Sequence, residues 1–221
     1  MGSLILSLVE ENYIKAIYHL ENEVKGDVST NAISDEVKTK PSSVTDMVQV
    51  LAEKDLLIYK KYKGVHLTKK GKSAAMKVIR KHRLWETFLV EKLNFQWDEV
   101  HDIAEQLEHI HSDALVDRLD DFLGNPEYDP HGDPIPDAEG NLKSRNKKVL
   151  SHIPENEVVI CVGVKESGSD FLRYLDKRNI NIGTEIKVLG KEFDGSMDLL
   201  VNSKPFSVSE QVAGNLYVQP I

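Results

Sequence analysis

The sequence has few of the features that mark secreted or membrane proteins. Among its 221 residues there is one cysteine, Cys161, which has no second cysteine in the chain to pair with. No apolar run approaches the ~20 residues that a membrane-spanning helix requires. The apolar stretch 4–9 is short and runs directly into Glu10 and Glu11, which argues against a signal peptide. These absences predict a protein of the reducing cytoplasm without a membrane partner.

The chain also lacks an overall positive charge, since its formal net charge is −8. This average hides a strong asymmetry along the sequence. Residues 38–80 carry eleven Lys and Arg residues against three acidic ones, whereas residues 81–221 carry 15 basic and 26 acidic residues. A basic segment beside an acidic region is typical of a localised surface that binds a polyanion.

The first third of the chain shows the apolar spacing of three short helices. The pattern predicts helices over 9–22, from near Asn31, and from Pro41 to about Glu53. Residues 57–61 and 65–68 alternate apolar with polar around a glycine, which predicts a two-stranded hairpin. Helix, tight turn, polar-faced helix and basic hairpin together are typical of a winged helix-turn-helix that reads DNA.

The remainder of the chain is first helical and then rich in strands. Residues 70–93 and 97–122 are amphipathic, which predicts two long paired helices that form a dimer seam. Residues 124–148 are rich in Pro, Gly and Asp and predict a domain connection. Beyond about residue 153, short apolar strands surround one predicted helix at 170–178, a pattern typical of a small β-barrel. The predicted strands include 158–164, 186–189, 199–201 and 216–218.

These patterns predict a mainly α protein with β structure. A winged helix-turn-helix over 1–71 is followed by a helical region with its linker over 72–150 and a small β-barrel over 151–221.

Six His and Glu side chains have the spacing of metal ligands on the two long predicted helices. They are His82 and Glu86 on the first, and His101, Glu105, Glu108 and His109 on the second. Residues four apart share a helix face, and carboxylates beside apolar positions are costly to bury unless a cation neutralises them. The alternative is a solvated acidic face with surface histidines. The common register of all six favours one or two divalent metal sites.

Five motifs of this chain resemble those of the diphtheria-toxin-repressor/manganese-transport-regulator (DtxR/MntR) family. They are Arg80-Lys81-His82-Arg83-Leu84-x-Glu86, the polar positions from Val100 to Asp113, Pro41-Ser42-Ser43-Val44-Thr45, Gly64-x-x-Leu67-Thr68-x-x-Gly71, and Asp129-Pro130-His131-Gly132-x-Pro134. The resemblance covers nearly the whole chain. Because the order and spacing of many polar positions agree, it is specific.

The resemblance implies a homodimeric, metal-activated transcriptional repressor of metal-uptake genes, which is not an enzyme and binds a palindromic double-stranded DNA operator. It also implies three domains, of which the helical one over 72–150 binds metal and forms the dimer and the C-terminal barrel is SH3-like, as in FeoA domains. Each subunit is implied to have two metal sites. The implied regulatory site consists of Asn12, Glu105, Glu108 and His109. The implied second site consists of His82, Glu86 and His101, with help from Asp129, His131 and Asp170.

Two positions depart from the family's pattern. Asn12 stands where manganese-type members carry Asp and iron-type members Met, so Glu11 is an alternative ligand; Asp129 stands where relatives often have Cys. Every candidate ligand is an imidazole, carboxylate or amide, which suits hard divalent ions such as Mn²⁺ or Fe²⁺. Glu105 occupies a position where iron-type relatives carry Cys, and this favours Mn²⁺.

The basic segment supplies the predicted DNA contacts. Four lysines are expected to contact phosphates, namely Lys40, Lys60, Lys61 and Lys63. Four polar residues of the third helix are expected to face base edges or the adjacent backbone, namely Ser42, Ser43, Thr45 and Gln49.

Two other functions are compatible with parts of this pattern. One is a metal-independent winged-helix regulator that senses a small molecule, in which the His and Glu residues are only structural. The other is a metallohydrolase or metal-storage protein. We find no separate general base or substrate loop that a metallohydrolase would need. Loss of metal-dependent DNA binding in Glu108→Ala would distinguish a metal-activated repressor from the small-molecule regulator, for which no effect is expected.

Overall fold

The computed structural model describes residues 5–60 and 63–221. Contacts within the chain divide it into two compact units. The N-unit comprises the chain up to His82, Glu105–Asp121 and Pro136–Leu142; the C-unit comprises Arg83–Ala104, Phe122–Ile135 and Lys143–Ile221. No helix within the described ranges is both long enough and apolar enough to span a membrane. The three-domain boundaries expected from the sequence stay a prediction.

The N-unit begins with three helices and a hairpin. They are α1 (Leu8–Val24), α2 (Thr30–Glu36), α3 (Pro41–Glu53), β1 (Leu57–Lys60) and β2 (Gly64–Leu67), followed by the long helix α4 (Lys69–Leu93). The two strands are antiparallel, with Leu57 opposite Leu67 and Lys60 opposite Gly64. This order confirms the predicted winged helix-turn-helix.

Local sequence sets where these helices begin. Ser7 and Glu10 form a reciprocal capping box at the start of α1, and the Ser29 hydroxyl accepts the backbone N–H of Ala32 at the start of α2. Pro41 occupies the first turn of α3, where its missing N–H breaks no helical hydrogen bond. The helix starts can therefore be derived from the residues themselves.

One apolar core joins these elements. Ile14 and Ile17 of α1 pack in the same buried cluster as Val44 and Val48 of α3 and Val65 of β2. Fully burying such side chains contributes about 1.5–3 kcal/mol each. Helix α1 is thereby fixed to the helix that carries the predicted base-reading residues.

The prediction of one helix over 97–122 is wrong. The structure has two shorter helices, α5 (His101–Leu107) and α6 (Asp113–Phe122), separated by a non-helical segment. Ser112 begins a new helix because its side chain and carbonyl oxygens both accept the backbone N–H of Leu115. Glu108 and His109 therefore lie in a turn after α5 and do not continue a helical stripe.

The C-unit is built on an antiparallel sheet. Its strands are β3 (Lys148–Val149), β4 (Val158–Val164), β5 (Glu185–Lys191), β6 (Met197–Val201), β7 (Lys204–Val208) and β8 (Leu216–Pro220), with α7 (Ser169–Asp176) and α8 (Glu210–Gly214) between them. The strand order is β3-β8-β4-β5-β6-β7. Leu172 and Leu175 of α7 pack on the buried sheet residues Val159, Ile186 and Leu199.

The predicted barrel is only loosely correct. Among the described residues β3 and β7 are the two edges of the sheet and do not pair with each other, so the sheet stays open. The prediction also omitted β3, β7 and α8. Strand β3 has two residues, which is too short for an alternating pattern to be visible.

The turn at 129–132, which packs against β4, depends on a glycine. Gly132 has φ +86°, and a Cβ atom there would lie 2.1 Å from the carbonyl oxygen of Val162. Gly183 also has a positive φ, of +88°, but nothing lies within 4 Å of the corresponding position. A Cβ atom at Gly183 would therefore bring only the strain of a positive φ, whereas one at Gly132 would also overlap the Val162 carbonyl oxygen.

We expect Gly132→Ala to destabilise the protein more than Gly183→Ala does. Left-handed backbone costs a non-glycine residue about 1–2 kcal/mol, and overpacking adds about 1–3 kcal/mol at Gly132 alone. Urea denaturation of both variants measures the difference in unfolding free energy. Equal losses would contradict the close approach of the Gly132 turn to β4.

Candidate metal centres and nucleic-acid interface

A cluster of charged side chains links α1 to the segment at the end of α5. Helix α1 contributes Glu11 and Lys15, which are four residues apart and share a face. Glu105 lies on α5, and Glu108 and His109 lie in the turn that follows it. All five residues belong to the N-unit.

Glu108 is at the centre of this cluster. Its side chain is completely buried, and its Oε1 atom lies 2.6 Å from the Nζ atom of Lys15, which also lies 2.6 Å from Oε1 of Glu105. His82 Nδ1 donates to the other oxygen of Glu108 at 2.6 Å. Burial raises the pKa of Glu108, but the hydrogen bond from His82 and the charge of Lys15 outweigh it and lower the pKa below the ordinary value. The carboxylate is therefore kept ionised.

Glu11 makes a second link between the same segments. Its Oε2 atom accepts a hydrogen bond from His109 Nδ1 at 2.6 Å, and its Oε1 atom accepts one from Lys81 Nζ at 3.1 Å. His109 Nε2 lies 3.7 Å from Oε1 of Glu108. His109 therefore lies between the carboxylates of Glu11 and Glu108.

Asn12 carries an unpaired oxygen. Its Oδ1 atom is buried, and no residue in the described part of the chain donates a hydrogen bond to it. A buried amide oxygen without a partner costs about 1–3 kcal/mol, and it is a ligand that hard cations accept. His82, Glu105 and Glu108 also offer ligand atoms that all lie within 4.8 Å of one another. These observations fit a divalent cation.

A second group of ligand atoms lies in the C-unit. Glu86, Asp129 and His131 are buried, and one ligand atom of each lies within 4.8 Å of the others. His131 Nδ1 is 3.4 Å from Glu86 Oε2, and its Nε2 atom donates to the carbonyl oxygen of Trp97 at 2.8 Å. His101 Nδ1 is 3.5 Å from the other oxygen of Glu86.

Burial and crowded negative charge shift the acid–base behaviour of this second group. Burial, with the charges of Glu86 and Asp133, raises the pKa of Asp129 to about 7. Burial alone lowers the pKa of His131, but its hydrogen bond to Glu86 and the Glu86 charge outweigh it and raise the pKa to about 9. His131 therefore holds a proton beside these carboxylates, where a divalent cation would supply positive charge in its place.

Most of the predicted ligands lie in one of these two groups. Glu105, Glu108 and His109 lie in the N-unit cluster, where His82, predicted for the second site, bonds to Glu108. Their role as metal ligands stays a prediction. Asp170 is exposed in the first turn of α7, and the described residues that group as possible ligands do not include it.

Sequence reasoning missed the two lysines of the N-unit cluster. Lys15 and Lys81 each contact a buried carboxylate. A signal was available for Lys15, because it is three residues after Asn12 and four after Glu11 and so shares their helix face.

The predicted DNA-reading residues lie on the outer side of α3 and on the hairpin. Lys40, Ser42, Ser43 and Gln49 are exposed, as are Lys60 and Lys63. Thr45 is half-buried and its hydroxyl donates to the carbonyl oxygen of Pro41 at 3.1 Å. Lys61 lies outside the described residues.

Three family models match consecutive parts of the chain. They describe the N-terminal DNA-binding domain of iron dependent repressors over residues 6–65, the metal binding and dimerisation domain of the same proteins over 68–137, and the FeoA domain over 148–220.

Individual relatives agree with these matches. The HTH-type transcriptional regulator MntR of Bacillus subtilis is 36% identical over 143 residues, which are 64% of this chain and 94% of that protein. The iron-dependent repressor IdeR of Mycobacterium leprae is 35% identical over 159 residues, 69% of either chain. A shorter match, 49% identical over 70 residues, covers 32% of this chain but 16% of a probable metal transport system membrane protein of Chlamydia trachomatis.

A solved structure has the same fold. The structure described as a manganese-dependent transcriptional repressor complex with manganese aligns with a TM-score of 0.84 at 32% identity, covering 96% of this chain and 100% of that chain.

We expect the metal-free protein to lose stability as the pH rises from 6.5 towards 9. The pKa of His131 is raised from 6.5 to about 9 in the folded chain, so the stabilisation is complete below 6.5 and is lost as the pH passes through 9. Thermal unfolding with a chelator measures it. His131→Gln should show a flatter pH profile, and an unchanged profile would contradict the assignment.

Proposed function

Because this chain belongs to the DtxR/MntR family of metal-dependent regulators, we propose that it is a homodimeric, Mn²⁺-activated transcriptional repressor of metal-uptake genes. Fe²⁺ is the alternative activating ion. The observation that carries the proposal is the N-unit cluster, in which α1 of the DNA-reading domain meets Glu105, Glu108 and His109. We propose that the protein acts in the cytoplasm and has no enzymatic activity.

The regulatory site in this proposal consists of Asn12, Glu105, Glu108 and His109. The buried Oδ1 atom of Asn12 supports its choice over Glu11, because no described residue donates a hydrogen bond to it. When bound, a divalent cation would supply the positive charge that holds these ligands together.

The second site in this proposal is centred on the buried group of the C-unit. Its ligands within the C-unit are Glu86, His101, Asp129, His131 and Asp170, whereas His82, which the sequence also assigned to this site, bonds to Glu108 in the N-unit. The proximity of Glu86, Asp129 and His131 supports the core of this set. The donors at both sites are carboxylate, imidazole and amide groups, which suit Mn²⁺ or Fe²⁺ better than softer ions.

The connection from the cluster to DNA runs through α1. Ile14 and Ile17 anchor α1 in the core that α3 shares, while Glu11 and Lys15 on the same helix bond to the segment at 105–109. A dimer must hold its two recognition helices about 34 Å apart, or a multiple of it, to enter successive major grooves. Fixing α1 would fix α3, and with it this spacing on a palindromic operator.

We expect Glu108→Ala to abolish metal-dependent DNA binding. Moving a two-state equilibrium from mostly inactive to mostly active requires about 5.5 kcal/mol, so loss of a central ligand should reduce operator affinity about 100-fold or more. The measurement is fluorescence anisotropy with operator DNA from the protein's own promoter region, without metal and with Mn²⁺ or Fe²⁺.

Glu23→Ala is the matched control, since Glu23 is an exposed carboxylate of α1. It should bind DNA as the unaltered protein does. Equal DNA binding by the unaltered protein with and without metal would favour the small-molecule regulator instead.

A second expectation concerns the hairpin lysines. Losing one phosphate contact lowers the slope of log affinity against log salt by about one. Lys60→Ala and Lys63→Ala should each show this decrease with any DNA sequence. Lys204→Ala, which removes an exposed lysine of β7, should leave the slope unchanged, and an unaltered slope in both hairpin variants would refute the contact.

A further inference from the structure

We propose that Lys15 is a built-in competitor of the activating metal ion at Glu105 and Glu108, and that it sets the metal concentration at which the regulatory site fills. The inference rests on the proposed function and deepens it. Its basis is the position of one ammonium group between two carboxylates that belong to the proposed ligand set.

The contacts of Lys15 are those of a bound cation. Its Nζ atom is 2.6 Å from one oxygen of Glu105 and 2.6 Å from one oxygen of Glu108, and its side chain is 13% exposed. An ammonium group is a compact point charge, and hydrogen bonds between two ionised groups are roughly twice as strong as neutral ones. Lys15 therefore occupies the negative potential that makes this cluster attractive to a cation.

The two cations compete because they need the same atoms. Oε1 of Glu105 and Oε1 of Glu108 both accept from Lys15, and a divalent ion on those oxygens would face the ammonium charge at close range. The long, flexible lysine stem allows the ammonium group to leave without moving α1. Filling the site therefore requires two charge-assisted hydrogen bonds to be given up.

Asn12 lies on the same helix and contributes no charge to this balance. It is three residues before Lys15 and thus on the same face, and it offers a neutral oxygen. The α1 side of the cluster consequently contributes a ligand oxygen without negative charge from Asn12 and one positive charge from Lys15. Lys15 is the residue of this face that opposes cation binding and must be displaced.

The test is direct Mn²⁺ binding to the full chain, read from the electron paramagnetic resonance signal of free Mn²⁺. Lys15→Met removes the charge and keeps a flexible side chain of similar length. We expect its dissociation constant for the cluster to fall about tenfold or more, since a unit charge at this distance interacts strongly even at an intermediate dielectric constant. The Mn²⁺-induced rise in melting temperature should increase in parallel.

Two controls assign the effect to this cluster. Lys72→Met removes a lysine that pairs with the buried Glu21 at 3.3 Å in the same unit, and it should leave Mn²⁺ affinity unchanged. Combining Lys15→Met with Glu108→Ala should remove the gain. Lys15→Gln provides a second uncharged variant if the Met variant folds poorly, with the same expected gain.

The outcomes separate this inference from the proposed function. Binding by the unaltered protein with unchanged or weaker affinity in both Lys15 variants would overturn the competitor role and make Lys15 a permanent structural tether. Absence of Mn²⁺ binding in the unaltered protein and in both variants would overturn the metal-activated function, and the inference with it.

Discussion

The N-unit depends on the neutralisation of buried carboxylates. Glu108 is completely buried and Glu11 nearly so, and an uncompensated buried charge is strongly destabilising, by about 3–5 kcal/mol. Their partners come from distant parts of the chain, because Lys15 lies on α1 whereas Lys81 and His82 lie on α4. These charge-compensating contacts therefore hold α1, α4 and the segment at 105–109 in positions that apolar packing alone would not fix.

The two candidate centres meet the same requirement differently. At Glu108 a lysine and a histidine supply positive charge, and the pKa of the carboxylate is lowered. At Asp129 the surrounding acidic groups and burial raise the pKa of the carboxylate to about 7, and the neighbouring His131 is held protonated with a pKa of about 9. One centre excludes protons from its central carboxylate and the other accumulates them. Under the proposed function, a cation entering the first centre would displace the Lys15 ammonium group, and one entering the second would displace a proton.

The sequence was sufficient wherever structure is determined locally. The predicted starts of α1 to α3, at residue 9, near Asn31 and at Pro41, lie within one residue of those observed, and the hairpin follows from short alternation around a glycine. The break between α5 and α6 was missed because apolar spacing continues on both sides of it, although Ser112 offers the same local cap signal as Ser29. Lys15 was missed because a charged residue on an amphipathic helix is usually solvated.

The position of α1 would let one helix serve both DNA recognition and the metal sensing proposed above. Its apolar face, with Ile14 and Ile17, belongs to the core of the DNA-reading domain. Its polar side chains Glu11 and Lys15 bond to the segment at 105–109, and Asn12 on the same helix has a buried, unpaired Oδ1 atom. Lys15 already joins α1 to that segment through hydrogen bonds that a flexible stem holds at an entropic cost. A set of ligands that includes Asn12 would make the same connection through a shorter side chain. Replacing the Lys15 ammonium group by a divalent metal ion would therefore hold α1 more rigidly against the segment at 105–109 without a change of fold.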